Sequence, residues 1–139
     1  MASAARGRCY CGEVQLEIEA IFDCGYCHCE DCRRASGAPV WVTVVARREA
    51  FGIVAGEPAR HQRLNGTQRF CATCGGPVCY EFRASVGDLV SVGVGTLDDP
   101  AHCPPAFHQF ASRRLPWLFL HDELPKYADN RLPHPRDRR

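Results

Sequence analysis

The segment Val14-Gln15-Leu16-Glu17-Ile18 alternates apolar and polar side chains without a break. Successive side chains of an extended chain face opposite ways, so Val14, Leu16 and Ile18 share one side and Gln15, Glu17 and Glu19 the other. That is the pattern of a half-buried strand. Short β-branched or aromatic segments recur at Val40 to Val45, Phe51 to Val54, Arg60 to Leu64, Val78 to Phe82 and Leu89 to Val94, separated by Gly, Pro and Asn-Gly punctuation. Their spacing predicts an all-β domain. One short helix is expected from about Glu30 to Ala35, stopped at Gly37, where glycine accepts the left-handed conformation after a last turn. Beyond Gly95 the chain is rich in proline and has little periodicity. It reads as an irregular arm over the sheets, with Trp117, Phe119 and Leu124 as its anchors.

A chain of 139 residues is a single domain by size, with a core expected over about 6–128 and a basic, proline-rich tail at 129–139. The formal net charge of +1 creates no field of one sign, which argues against nucleic acid or an anionic membrane as partner. No apolar run is long enough to cross a bilayer, and the start "MASAARGRCY" lacks the hydrophobic stretch of a secretory signal. The expected location is the cytoplasm. In that reducing setting ten cysteines point to metal ligation or thiol chemistry rather than to a disulfide framework.

Seven of the cysteines fall into three groups: Cys9 with Cys11, then Cys27, Cys29 and Cys32, then Cys71 with Cys74. Cys71 and Cys74 have the two-residue gap of a zinc knuckle, followed by Gly75 and Gly76, which let backbone N–H groups approach the sulfurs. A knuckle supplies two of the four ligands that tetrahedral zinc requires, and Cys9 and Cys11 are the natural complement if the chain turns there. The rival reading, a redox dithiol at Cys71 and Cys74, needs a strand-to-helix setting that the sequence does not offer. A four-thiolate site built from the two pairs would staple the N-terminus to the middle of the chain across a long loop.

Cys27, Cys29 and Cys32 then remain as three thiolates without a matching fourth. Three protein ligands and one open position distinguish catalytic from structural zinc, and a thiol entering that position would be held as thiolate. Arg33 and Arg34 follow at once and could grip a carboxylate of a bound ligand in fork geometry. Cys24 offers the opposite reading, since its two-residue gap to Cys27 would let it close a second structural site. Spacing leaves both versions open. His28, between two of the cysteines, is a rival ligand expected to face away from them, and Cys79, alternating with Val78 and Tyr80, is a small core residue.

At these residues the sequence resembles the glutathione-dependent formaldehyde-activating enzyme family, whose domain is shared with centromere protein V. The resemblance rests on "GRCYCGEV" (7–14), "CHCEDCRRASGAP" (27–39), "RFCATCGGPV" (69–78), "GTLDDP" (95–100), "PPAFHQFASRRLPW" (104–117) and "DELPKY" (122–127), in that order and over nearly the whole chain. It implies an all-β, tent-like fold of small antiparallel sheets with two zinc ions. Carried over by position, Cys9, Cys11, Cys71 and Cys74 match a structural site, and Cys27, Cys29 and Cys32 a catalytic one. The implied reaction is a carbon–sulfur lyase activity, the addition of the glutathione thiol to formaldehyde or cleavage of the adduct. The chain departs from the family pattern in carrying Cys24. His108, in the matching C-terminal pattern, is expected either to donate a proton at the site or to pack as a hydrogen-bonded histidine, while Asp98, Asp99 and Asp122 are expected to cap turns. Two functions follow: a zinc-dependent lyase acting on a glutathione-like thiol and a small aldehyde, or a non-enzymatic zinc-stabilised module that binds a protein or nucleic acid.

Overall fold

The computed structural model of the protein describes residues 4–83 and 88–130. In chain order the elements are β1 (Ala5–Arg8), β2 (Gln15–Ile18), β3 (Asp23–Cys27), α1 (Glu30–Ser36), β4 (Trp41–Arg47), β5 (Phe51–Ala55), β6 (Ala59–Arg63), β7 (Gly66–Phe70), β8 (Pro77–Phe82), β9 (Leu89–Gly93) and β10 (His108–Gln109), with three single 3₁₀ turns between them and a fourth after β10. The domain is mostly β, with one helix, as the alternation predicted. Of the expected tail, 131–139 lies outside the described residues.

Two sheets form the body. A three-stranded sheet runs β1-β2-β5, and a seven-stranded sheet runs β10-β3-β4-β9-β8-β7-β6. Every pairing is antiparallel except that of β10 with β3, where His108 sits opposite Tyr26 and Gln109 opposite Cys27. Val14, Leu16 and Ile18 are buried at 1% exposure each, and they pack with Val44, Ala46, Val78, Val90 and Val92 in the core. Removing such side chains from water is the main gain on folding, of order 1.5–3 kcal/mol for each of the larger ones. Cys79 and Cys103 belong to the same core.

The register assigns the second face of the large sheet. Cys27 pairs Trp41, Thr43 pairs Gly93, Ser91 pairs Tyr80 and Tyr80 pairs Gln68. Directly opposed residues share a face, so this row lies on the side away from Val44, Ala46, Val90 and Val92. Helix α1 lies against β4, and Asp31 reaches Arg63 at the end of β6 at 3.4 Å. Gly37 caps the helix at φ 75°, with its N–H donating to the Arg33 carbonyl. The predicted stop is therefore the observed one.

The arm after Gly95 does cross the sheets, but its anchors differ from the expected ones. Trp117 and Phe119 are 64% and 66% exposed, whereas Leu124 is partly buried. The arm is held instead by β10 and by the buried Phe107, whose ring fills the space over Gly25; a Cβ added there would lie 2.4 Å from it. Main-chain bonds from Tyr26 N to Phe107 O, His28 N to Gln109 O and Ala106 N to Cys24 O zip the arm onto β3. Proline and glycine fix extended and turning backbone without periodicity, so an apolar count selects the wrong side chains in such a segment.

Candidate functional site

Seven cysteines converge in two places. The sulfurs of Cys9, Cys11, Cys71 and Cys74 all lie within 4.8 Å of one another, as do those of Cys27, Cys29 and Cys32. All ten cysteines are free thiols.

The four-cysteine group joins two turns. Past the end of β1, Gly12 N–H donates to the Cys9 carbonyl with Gly12 at φ 84°, so Cys9 and Cys11 are no longer on a flat strand and can face one point. Between β7 and β8, Gly75 N–H donates to the Cys71 carbonyl with Gly75 at φ 76°. A Cβ at Gly76 would lie 3.1 Å from the Tyr10 nitrogen and 3.2 Å from the Cys74 sulfur, so glycine is what lets the two turns meet. The Sγ–Sγ distances are 3.7 Å from Cys9 to Cys11 and 3.8 Å from Cys11 to Cys71. A tetrahedron with zinc–sulfur bonds of ~2.3 Å has sulfurs ~3.8 Å apart, so the group already fits a metal of that size. Backbone N–H groups of Val14 and Gly76 donate to the sulfurs of Cys9 and Cys74 at 3.3 and 3.4 Å. The bonds from the Cys11 and Gly76 amides hold the Cys74 thiol down at about 6, closer to the thiolate a metal requires.

The three-cysteine group sits where β3 passes into α1. Cys27 ends the strand, Cys29 is the N-cap of the helix and Cys32 lies one turn in. The Cys29 sulfur accepts from the Cys32 N–H at 3.3 Å and receives the Cys27 thiol at 3.4 Å. Its neighbours Cys27 and Cys32 pull the Cys29 thiol down to about 2, while Cys29 pushes Cys27 up to about 12 and both push Cys32 up. Three crowded sulfurs can thus share one negative charge unaided, and a cation among them would let all three ionise. Thiolates are soft donors, and such a set suits zinc, copper(I) or an iron–sulfur cluster.

Cys24 is not part of this group. As β3 alternates, Cys24 and Cys27 fall on opposite faces; the Cys24 thiol donates to the Cys103 carbonyl at 3.4 Å and is pushed up to about 11 by burial. His28 also turns away from the sulfurs. It is fully buried, with Nε2 at 2.9 Å from His108 Nδ1. His108, 2% exposed, lies 2.9 Å through its other nitrogen from an oxygen of Asp122 and stacks on Tyr26 at 4.5 Å. Both ring nitrogens of His108 are therefore engaged, the packed arrangement of the two expected. Asp122 does cap a turn, accepting from Leu124 N–H at 3.0 Å, and in addition holds His108. Arg34 is tied to Glu30 at 2.9 Å on the surface, whereas the Nε of Arg33 is buried without a partner.

Beside α1, on the same sheet face as Cys27, a small, partly open cleft is lined by Ala35, Trp41, Arg63, Gln68, Tyr80 and Gly93, among others. The Arg63 guanidinium lies 4.9 Å over the Tyr80 ring, and the Tyr80 hydroxyl bonds Asn65. Arg63, Gln68 and Tyr80 were not singled out from the sequence. Arg63 and Tyr80 carried no signal beyond position on an expected strand and Gln68 carried none, and the face they share follows from register.

These features define a class: a small β domain with one closed four-thiol group and one open three-thiol group beside a cleft. The sequence profile of the glutathione-dependent formaldehyde-activating enzyme family matches residues 4–113, and the chain belongs to that family. No curated protein matches the sequence. A crystal structure of a Rhodobacter sphaeroides protein superposes with a TM-score of 0.55 at 24% identity, covering 87% of this chain and 98% of that one. That likeness carries the fold alone. Among the described residues no helix is long and apolar enough to cross a membrane.

Proposed function

We propose that this chain is a zinc-dependent carbon–sulfur lyase, adding a glutathione-like thiol to formaldehyde or a small aldehyde, or cleaving the adduct. The observation that carries the reading is the open group: Cys27, Cys29 and Cys32 converge while Cys24 bonds elsewhere. Cys9, Cys11, Cys71 and Cys74 would hold a structural zinc, and Cys27, Cys29 and Cys32 a second. Bound there, zinc supplies a thiol held as thiolate at neutral pH.

The chain's own residues do the rest. Addition forms the C–S bond, breaks the carbonyl π bond and places the thiol's proton on the new hydroxyl; cleavage reverses each change. Holding the thiol and the aldehyde together at the open group would supply proximity, a large part of the gain in such an addition. Arg33, with its unpartnered Nε next to Cys32, is the chain's best grip for a carboxylate of the thiol, and the exposed Arg34 is a weaker one. His108, with both ring nitrogens engaged by His28 and Asp122, is given no proton-transfer role in this reading. The family assignment agrees with this reading.

The test is to load the protein with cobalt and add glutathione, then formaldehyde. The reading expects two cobalt ions per chain, a thiol-dependent change in the visible bands of one of them, and faster S-hydroxymethyl adduct formation by NMR than in buffer. A second ion whose spectrum ignores every thiol refutes it. Cys24, bonded to the Cys103 carbonyl and outside the cluster, supports the lyase reading over that of a module that merely binds a partner.

A further inference from the structure

Behind the open cysteine group runs a buried polar chain that packing alone does not require. Asp122 in the arm, His108 on β10 and His28 just past β3 are linked at 2.9 Å and 2.9 Å, and the two imidazoles are 2% and 0% exposed. Tyr26 and His108 are stacked at 4.5 Å with 10° between their planes, and the two histidine rings at 5.1 Å with 18°. The hydrogens along the chain follow from its end. The Asp122 carboxylate only accepts, so His108 Nε2 carries the hydrogen; His108 Nδ1 is then an acceptor, and His28 Nε2 must donate to it. His28 Nδ1 is left as a buried acceptor, and it has no hydrogen-bond partner among the described residues.

We infer that Asp122 and His108 are positioning residues for the three-cysteine site, acting through His28. The inference rests on the metal reading proposed above. His28 stands between Cys27 and Cys29, and neighbouring side chains on an extended backbone point opposite ways. A ring held from behind therefore fixes the backbone twist that turns both flanking sulfurs to the front, where they stand 3.4 Å apart. The main-chain bond from His28 N to Gln109 O pins the same residue a second time. The arm, 80 residues away in sequence, thus sets the geometry of the cluster. Residues of this kind, bonded behind a ligand set rather than in it, commonly change metal affinity by 10–100-fold when altered.

The test uses cobalt affinity at each of the two sites of the full chain, with the four-cysteine site as an internal control for folding, and ¹⁵N shifts of the histidines. Asp122→Asn can turn its amide N–H toward His108 Nε2 and so reverse both tautomers, moving the His28 hydrogen from Nε2 to Nδ1. His108→Phe keeps the stacking on Tyr26 and removes both bonds. Each variant is expected to weaken cobalt binding at the three-cysteine site by about tenfold while leaving the four-cysteine site within twofold, and Asp122→Glu should restore part of the loss. Unchanged binding at the three-cysteine site in both variants overturns the inference alone, and so does an equal loss at both sites, which would make the chain a general stabiliser. A wild-type protein that takes up one cobalt ion overturns the metal reading together with it.

Discussion

Cys11→Ser isolates the four-cysteine site more cleanly than any other change. Cys11 is the exposed member of the group, so its replacement opens no cavity and strands no buried group. Surface changes of this sort usually shift stability by less than about 0.5 kcal/mol. If the four sulfurs hold a metal, the same change is costly. The sulfurs of Cys11 and Cys71 are 3.8 Å apart although the residues are 60 positions apart in the chain. A clip across a loop of that length removes about 4 kcal/mol of chain entropy from the unfolded state at 25 °C. Losing one of four ligands, with a hundredfold fall in affinity, removes about 2.7 kcal/mol of the stabilisation that binding supplies. The expected loss therefore lies between about 2.7 and about 4 kcal/mol, or roughly 10 °C in Tm for a chain of this size. The assay is urea unfolding of both proteins, first with zinc in excess and then with a strong chelator. In chelator the wild type and Cys11→Ser should agree to within about 0.5 kcal/mol. Equal stabilities in zinc as well would refute the four-thiolate site, since an exposed thiol matters to this fold only as a ligand.

Two further outcomes follow from the same geometry. Cys24→Ser should leave the metal content at two ions per chain and the thiol response of the second ion intact, because the Cys24 thiol bonds the Cys103 carbonyl and not the cluster; metal analysis showing one ion would mean that Cys24 is a ligand. The Cys79 thiol is pushed from 9.0 up to about 12, chiefly by burial and then by Glu81. A raised thiol stays neutral in the folded chain while it ionises in the unfolded one, so its contribution is complete below pH 9 and is lost as pH rises toward 12. The slope is at most about 1.4 kcal/mol per pH unit. Cys79→Ala should flatten the alkaline limb of the stability curve, and a limb of unchanged slope would show that Cys79 is not protected.

Much of the fold was legible because one buried face imposes a period of two, and six strands were read on that ground. Of the four missed strands, Ala5–Arg8 among them, three have a plain physical reason. Ala59–Arg63 and Gly66–Phe70 pair along the polar edge of the large sheet, where the alternation is weak, and only the first of the two was anticipated. Asp23–Cys27 is broken by Gly25, which looks like a turn residue and is in fact the flat spot on which Phe107 lies. His108–Gln109 is too short to show any period and becomes a strand only by pairing with Tyr26 and Cys27. Trp117 and Phe119 were misread because size and apolarity do not reveal exposure in an aperiodic arm.

Local sequence is enough to set which atoms are available: four cysteines spaced for two facing turns, three more crowded around a helix start, and the glycines that let backbone approach sulfur. These are local matters of ligand chemistry and turn geometry. Tertiary structure alone set where the Cys24 sulfur points: the pairing of β3 with β4 put it on the opposite face from Cys27, where it bonds the Cys103 carbonyl. It also decided the union of His28, His108 and Asp122, since contacts across 80 residues depend on strand register, which no single segment contains.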